Sequence, residues 1–188
     1  MNIAGILLAA GNSTRFGTQK LAYPLPDGQQ IGIKSARTMA DAMDKCFAIV
    51  RKQDQEFADQ LRYLGFNIVV QPARDAGMGD SLALGVRASE HADGWLIALA
   101  DMPWIRQSTL KVMIDSLESG AAIAAPVYRG KRGHPVGFNH MYRSELTRLG
   151  GDTGARQILR DHPDDLQMLE VDDPGILRDV DRPQDLEP

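Results

Sequence analysis

The chain has 188 residues, of which 43% are hydrophobic and 24% charged, so it can bury a sizeable core and is neither fibrous nor low in complexity. Its formal net charge of −4 disfavours nucleic acid as a main partner. The 18 glycines and 10 prolines point to many tight connections between short elements. The single cysteine, Cys46, cannot form an internal disulfide and suits a reducing, cytoplasmic setting. The apolar run Ile3 to Gly11 has no basic stretch before it and is about half the ~18 residues of a membrane span, so neither a signal peptide nor an anchor is expected.

In chain order, Ile3–Leu8, Cys46–Val50, Asn67–Val70, Trp95–Leu99 and Ala121–Val127 are apolar without alternation, the pattern of strands buried on both faces of a parallel sheet. Helical stripes separate them: Ile33, Ala36, Ala40 and Met43; Phe57, Leu61 and Leu64; Leu82 and Val86; Leu110, Met113, Ile114 and Leu117. Strand alternating with helix predicts α/β architecture with helices on both sheet faces. After Val127 the rhythm changes. Tyr128 to Gly133 reads as a turn and His134–Phe138 as a short returning strand, forming a hairpin or cover. Helices around Tyr142–Leu149 and Thr153–Arg160, a strand Leu166–Val171 and a charged end Leu177–Leu186 complete the chain. No repeat or linker is visible, so residues 1–188 read as one domain.

The first strand runs into Leu7-Leu8-Ala9-Ala10-Gly11-Asn12-Ser13-Thr14-Arg15-Phe16-Gly17-Thr18-Gln19-Lys20, at the sheet edge where open α/β folds bind ligands. Gly11 and Gly17 let backbone amides turn toward an anion, Ser13 and Thr14 add hydroxyls, and Arg15 and Lys20 add positive charge. Together they make a polyphosphate cradle. It is not a P-loop, since five residues separate the glycines, and it is not the Gly-x-Gly-x-x-Gly of dinucleotide folds. The fourth strand ends in Asp101-Met102-Pro103, and a carboxylate at a strand's carboxyl end is suited to a divalent cation over phosphates; helix capping is the plain alternative.

The spacing Leu-Ala-Ala-Gly-x-Ser-x-Arg-Phe-Gly-x-x-Lys resembles the signature of nucleoside-triphosphate transferases that join a nucleotide to a phosphorylated acceptor. Further segments narrow the likeness: Lys20-Leu21 through Asp27-Gly28, Gly133-His134-Pro135-Val136, and Gly151-Asp152-x-Gly154-Ala155-Arg156. These look like molybdenum cofactor cytidylyltransferase, in the MobA-like nucleotidyltransferase family, over nearly the whole chain. The resemblance implies a three-layer, Rossmann-like fold with a mostly parallel sheet and a small hairpin cover. It implies catalytic roles for Arg15, Lys20 and Asp101, and Mg2+ held by Asp101 and by Asp181 of the Arg178–Asp185 segment, where Arg182 replaces the family's usual Thr. An acidic run near a terminus is otherwise simply solvated.

The same resemblance implies nucleotide contacts from Leu8, Ala9, Ala10, Gly11, Ser13, Arg15 and Lys20, and from Gly79 and Ser81 in Asp75–Leu82, where Asp80 or Ser81 would also suit an N-cap. Ala10 stands where the guanylyl-transferring branch has glycine, and its methyl narrows the base site in favour of a pyrimidine. Expected substrates are CTP, or alternatively GTP, and a molybdopterin-type phosphorylated acceptor contacted by His134, Asp152 and Arg156. His134 could instead only shape a turn before Pro135, and Asp152 could only cap the next helix. A molybdenum hydroxylase would receive the product. A carrier that delivers cofactor without catalysis is the alternative of another class, and Arg15, Lys20 and Asp101 argue against it. His91, His140 and His162 lack zinc-like spacing.

Overall fold

The structure is a computed structural model and describes residues 1–11, 16, 19–73 and 76–186. A single eight-stranded sheet organises it: β1 (Ile3–Leu8), β2 (Cys46–Arg51), β3 (Asn67–Gln71), β4 (Gly94–Leu99), β5 (Ile123–Tyr128), β6 (Lys131–Arg132), β7 (Val136–Asn139) and β8 (Leu166–Glu170). β3, β2, β1 and β4 lie side by side in parallel, β7 follows antiparallel, and β5 and β8 restore the parallel direction beyond it.

The helices are α1 (Ile31–Ala40), α2 (Gln55–Tyr63), α3 (Met78–Ala88), α4 (Gln107–Glu118), α5 (Arg143–Arg148) and α6 (Arg156–Asp161). Residues from α1, α2 and α4 pack with Leu7, Leu96 and Ala98 in one core, while α3, α5 and α6 pack with Ile6, Trp95 and Ile97 in another. Successive residues of β1 and β4 therefore enter opposite cores. That is why both strands are apolar throughout rather than alternating.

The packing refines two expectations. β3 is an edge strand, and Val70 on it is 40% exposed, so it is not buried on both faces. The buried residues of α1 are Ile31, Gly32, Ser35, Ala36 and Met39; of the expected stripe Ala36 is among them, and Ile33, Ala40 and Met43 pack half-buried at the margin of the same core. Ser35 tolerates burial because its hydroxyl donates to the carbonyls of Ile31 and Ala100.

The hairpin is part of the sheet rather than a cover over it. Arg129 (φ 51°) and Gly130 (φ 74°) form a two-residue turn with both central residues left-handed, closing Tyr128 on Lys131. The returning chain then enters the sheet as β7 between β4 and β5. Pairing with β5 steps three residues, from Val127 to Ala124, while the partner steps five, from Arg132 to Gly137. Gly133 still donates its amide to the Pro126 carbonyl of β5, and His134 turns away to donate to the Ile176 carbonyl, so the pairing breaks at His134 and Pro135.

Candidate active site

The site follows from strand order. β1 has β2 on one side and β4 on the other, so the chain switches direction across the sheet at the β1–β4 crevice, where open α/β sheets accept ligands. Leu8 sits opposite Leu99, and the amide of Ala100 donates to the carbonyl of Leu8. The loops after β1 and after β4 therefore leave the sheet together.

Across this crevice the Lys20 ammonium lies 2.7 Å from Oδ2 of Asp101 and 3.8 Å from Oδ1 of Asp181. The side chains of Lys20 and Asp101 are only 13% and 24% exposed, so the pair is well shielded from water. The other carboxylate oxygen of Asp101, Oδ1, is buried and has no hydrogen-bond partner among the described residues. A buried acceptor left open is costly unless a ligand fills its need.

Asp181 reaches this point through a C-terminal arm with several anchors. The amide of Val180 donates to the carbonyl of Asp101, and Val180 is buried with Phe16, Leu25 and Ile31 in a small third core. Phe16, from the first loop, meets Tyr23 edge to face. Asp185 accepts from the amides of Asp181 and Arg182, which holds its carboxyl below the usual carboxylate range. Further back, fully buried Asp173 accepts from the amides of Arg106 and Gly175 and from the Thr109 hydroxyl. A Cβ on Gly175 would lie 2.1 Å from the Trp104 carbonyl oxygen, so glycine is required for that approach.

Two adjoining clefts open here. The first, about 460 Å3, is lined by Leu8, Ala9, Ala10, Gly11, Lys20, Ser81, Asp101, Asp152 and Asp181, with Phe16, Leu21 and Met78 adding apolar surface. The second, about 660 Å3, is lined by His134, Asp152 and Arg156, together with Arg132, Arg160, Asp179 and an apolar wall that includes Leu82, Ile97 and Val136. Leu8, Met78, Leu99 and Asp152 belong to both.

The fold thus gathers Leu8, Ala9, Ala10, Gly11, Lys20, Ser81, Asp101 and Asp181 in one cleft, and His134, Asp152 and Arg156 in its neighbour. Gly79 does not line either; it is buried against Gly150, whose carbonyl oxygen would lie 2.8 Å from an added Cβ. Ser13 and Arg15 lie outside the described residues. Asp179, Arg132, Arg160, Phe16, Asp173 and Asp185 were not expected. Asp185 falls in the Arg178–Asp185 segment singled out in the sequence; Asp173 caps the turn at Pro174–Leu177 through the nearby Gly175 amide, but its other two donors, Arg106 and Thr109, lie more than 60 positions away and leave no local signal.

Electrostatics differ between the clefts. Burial holds the His134 imidazole below its usual pKa against the opposing pull of Asp101, and Arg132 and Arg156 push the same way as burial. Its Nδ1 is buried with no hydrogen-bond partner among the described residues. Partial burial pushes the Asp179 carboxyl up, and nearby Asp101 and Asp181 add to the effect. A neutral imidazole with an open nitrogen beside two arginines is a polar contact suited to an anionic, partly apolar ligand.

A family model for the MobA-like NTP transferase domain matches residues 5–166. The chain belongs to that family. It is 29% identical to the purine catabolism protein PucB of Bacillus subtilis, over 97% of this chain and 93% of that protein. It is 26% identical to a molybdenum cofactor guanylyltransferase of Desulfosudis oleivorans, over 66% of this chain and 58% of that one. The crystal structure of Rv0371c from Mycobacterium tuberculosis superposes with a TM-score of 0.81 at 28% identity, covering 98% of this chain and 94% of that one. The structure of Rv0371c in complex with manganese gives 0.75 at 26% identity, over 91% and 89%. In this MobA-like NTP transferase the arm that carries Asp173, Asp179 and Asp181 lies beyond the matched residues.

Proposed function

We propose that the protein transfers CMP from CTP to the terminal phosphate of a molybdopterin-type acceptor and releases pyrophosphate. The observation that carries this reading is the convergence of Lys20, Asp101 and Asp181 at the β1–β4 crevice, with a second, arginine-lined cleft against it.

Asp101 and Asp181 are the residues that would hold Mg2+. The open Oδ1 of Asp101 and two carboxylates drawn to one positive charge suit a hard divalent cation. Among the described residues no three His, Cys, Asp or Glu side chains converge on one point, so triphosphate oxygens and water would complete the coordination. When bound, the ion neutralises triphosphate charge and orients the α-phosphate. The family member of known structure that binds manganese supports a metal of this charge.

The chain's own residues place the reactants. The Ala9–Gly11 turn and Arg15 hold the β- and γ-phosphates, and Lys20 moves from Asp101 to the α-phosphate. His134, Asp152 and Arg156 hold the acceptor so that its phosphate oxygen lines up with the α-phosphorus. A bond forms from that oxygen to the α-phosphorus, the bond to the bridging oxygen breaks, and pyrophosphate departs with the electron pair. No side chain has to act as nucleophile, because this chemistry depends on placement and charge neutralisation.

Ala10 supports the choice of CTP: it is buried and lines the first cleft, and its methyl would narrow the space left for a purine base. One such group decides about 1–3 kcal/mol. GTP is the second reading, favoured by the guanylyltransferase relative. The test is a screen of CTP, GTP, ATP and UTP with molybdopterin and Mg2+, read by pyrophosphate release. Acceptor-dependent release with CTP foremost is expected. Preference for GTP would move the protein to guanylyl transfer, and no acceptor-dependent release with any nucleotide would overturn the reading in favour of a carrier.

A further inference from the structure

The two sequence segments assigned to different ligands, Asp75–Leu82 and Gly151–Arg156, meet in the structure, where the described residues 76–82 and 150–156 are built as one unit. Asp80 stands in the first turn of α3, and a single oxygen of its carboxylate, Oδ2, accepts from the amide of Gly77 at 2.9 Å and from the amide of Gly151 at 3.0 Å. The amide of Gly79 donates in return to the carbonyl of Gly151 at 2.8 Å. A Cβ on Gly77 would lie 2.1 Å from the Gly151 carbonyl oxygen, and one on Gly79 2.8 Å from that of Gly150. The glycines of the α3 turn are therefore needed for contact between two backbones. Gly151 itself has φ +58°, a left-handed conformation that glycine adopts without strain.

This seam joins the two clefts. Gly77 and Ser81 line the first, Thr153–Gln157, Leu159 and Arg160 line the second, and Met78 and Asp152 belong to both. Asp80 lines neither. Its charge strengthens both hydrogen bonds and favours the helix N-terminus. Local capping accounts for the bond to Gly77 but not for the one to Gly151, which crosses 71 positions of sequence.

We infer that Asp80 is a positioning residue that ties the acceptor loop at Gly150–Arg156 to the nucleotide-side turn at Ala76–Ser81, so that nucleotide occupancy orders the acceptor loop. The inference rests on the assignment of the first cleft to nucleotide. In-line transfer needs the two reacting groups aligned to a fraction of an ångström, and two loops that moved independently would lose that alignment.

Hydrogen exchange read by mass spectrometry tests this with CTP and Mg2+ as the probe. In the wild type, CTP should slow exchange in peptides spanning 76–82 and 149–152 alike. Asp80→Ala should exchange at least tenfold faster at Gly151 before any nucleotide is added, and CTP should then slow only 76–82. Asp80→Asn keeps an acceptor oxygen and should restore part of the response at 149–152. If CTP slows 76–82 but not 149–152 in the wild type, the coupling is overturned while the nucleotide site stands. If Asp80→Ala responds as the wild type does, Asp80 is not the tie. If CTP slows neither segment in the wild type, the nucleotide assignment fails and takes the inference with it. The wild-type measurement decides the coupling even where Asp80→Ala does not fold.

Discussion

Lys20 and Asp101, 81 positions apart, are joined by a 2.7 Å ion pair at the crevice between two parallel strands, and Oδ1 of Asp181 lies 3.8 Å from the same ammonium. The ammonium thus faces both carboxylates that would hold a divalent cation. Removing that charge should favour the metal. At an effective dielectric near 20, one unit charge at about 4 Å is worth a few kcal/mol, and solvent reduces this at the cleft mouth. Lys20→Met is expected to bind Mn2+ about tenfold more tightly than the wild type without nucleotide, measured by electron paramagnetic resonance titration. Unchanged or weaker binding would show that the two carboxylates are not the metal's ligands.

The arm that delivers Asp181 depends on Asp173. Its carboxylate accepts three hydrogen bonds while almost wholly buried, and Asp173→Ala strands three donors at once. A loss of about 3 kcal/mol is expected, a drop of roughly 6–12 °C in Tm for a chain of this size. Thr109→Val removes one of the three bonds and should cost about 1 kcal/mol. Calorimetry on both variants checks the ranking, and equal Tm values would contradict the anchoring role.

Stability should depend on pH through His134. Burial depresses its pKa in the folded protein below the ordinary value of 6.5, so the unfolded chain takes up the proton first as pH falls. The stabilisation from a neutral His134 is complete above about pH 6.5 and is lost as pH drops through the lower, folded value. His134→Gln cannot take up that proton, and its Tm should fall less steeply than the wild type between pH 6.5 and 5. Parallel Tm curves would mean that His134 titrates alike in both states.

Cys46 lies buried at the start of β2, and burial, with Asp44 nearby, pushes its thiol up to about 12. The reactive thiolate is therefore scarce at pH 8. A disulfide reagent such as Ellman's should label less than a tenth of the native protein in ten minutes and all of it in guanidinium chloride. Rapid native labelling would contradict the burial.

How much of this is legible in sequence depends on whether a residue's role is local. β1 and β4 are readable because burial on both faces makes them uniformly apolar. The stripe of α1 is legible in part: Ala36 is buried and Ile33, Ala40 and Met43 pack on the same core, but Gly32 and Ser35 share the buried face, Gly32 against Phe57 and Leu21 and Ser35 satisfied by the Ala100 carbonyl, partners that no helical period reveals. β3 has the composition of a central strand but, among the described residues, no strand on its outer side. In the site, Lys20 and Asp101 follow from strand ends and spacing. Gly79 lines neither cleft, and its close approach to the Gly150 backbone is a contact that no local pattern reveals. Asp80 could be read as a cap but not as a tie to Gly151, which exists only in three dimensions.

The central claim is that Lys20, Asp101 and Asp181 act on one triphosphate, and it is tested most directly by acceptor-dependent pyrophosphate release from CTP in Asp101→Asn. This change keeps the side chain's shape and removes its charge. Release at least about 100-fold slower than the wild type, with Tm within a few degrees, is the expected result. A folded Asp101→Asn protein turning over at near wild-type rate would contradict the account.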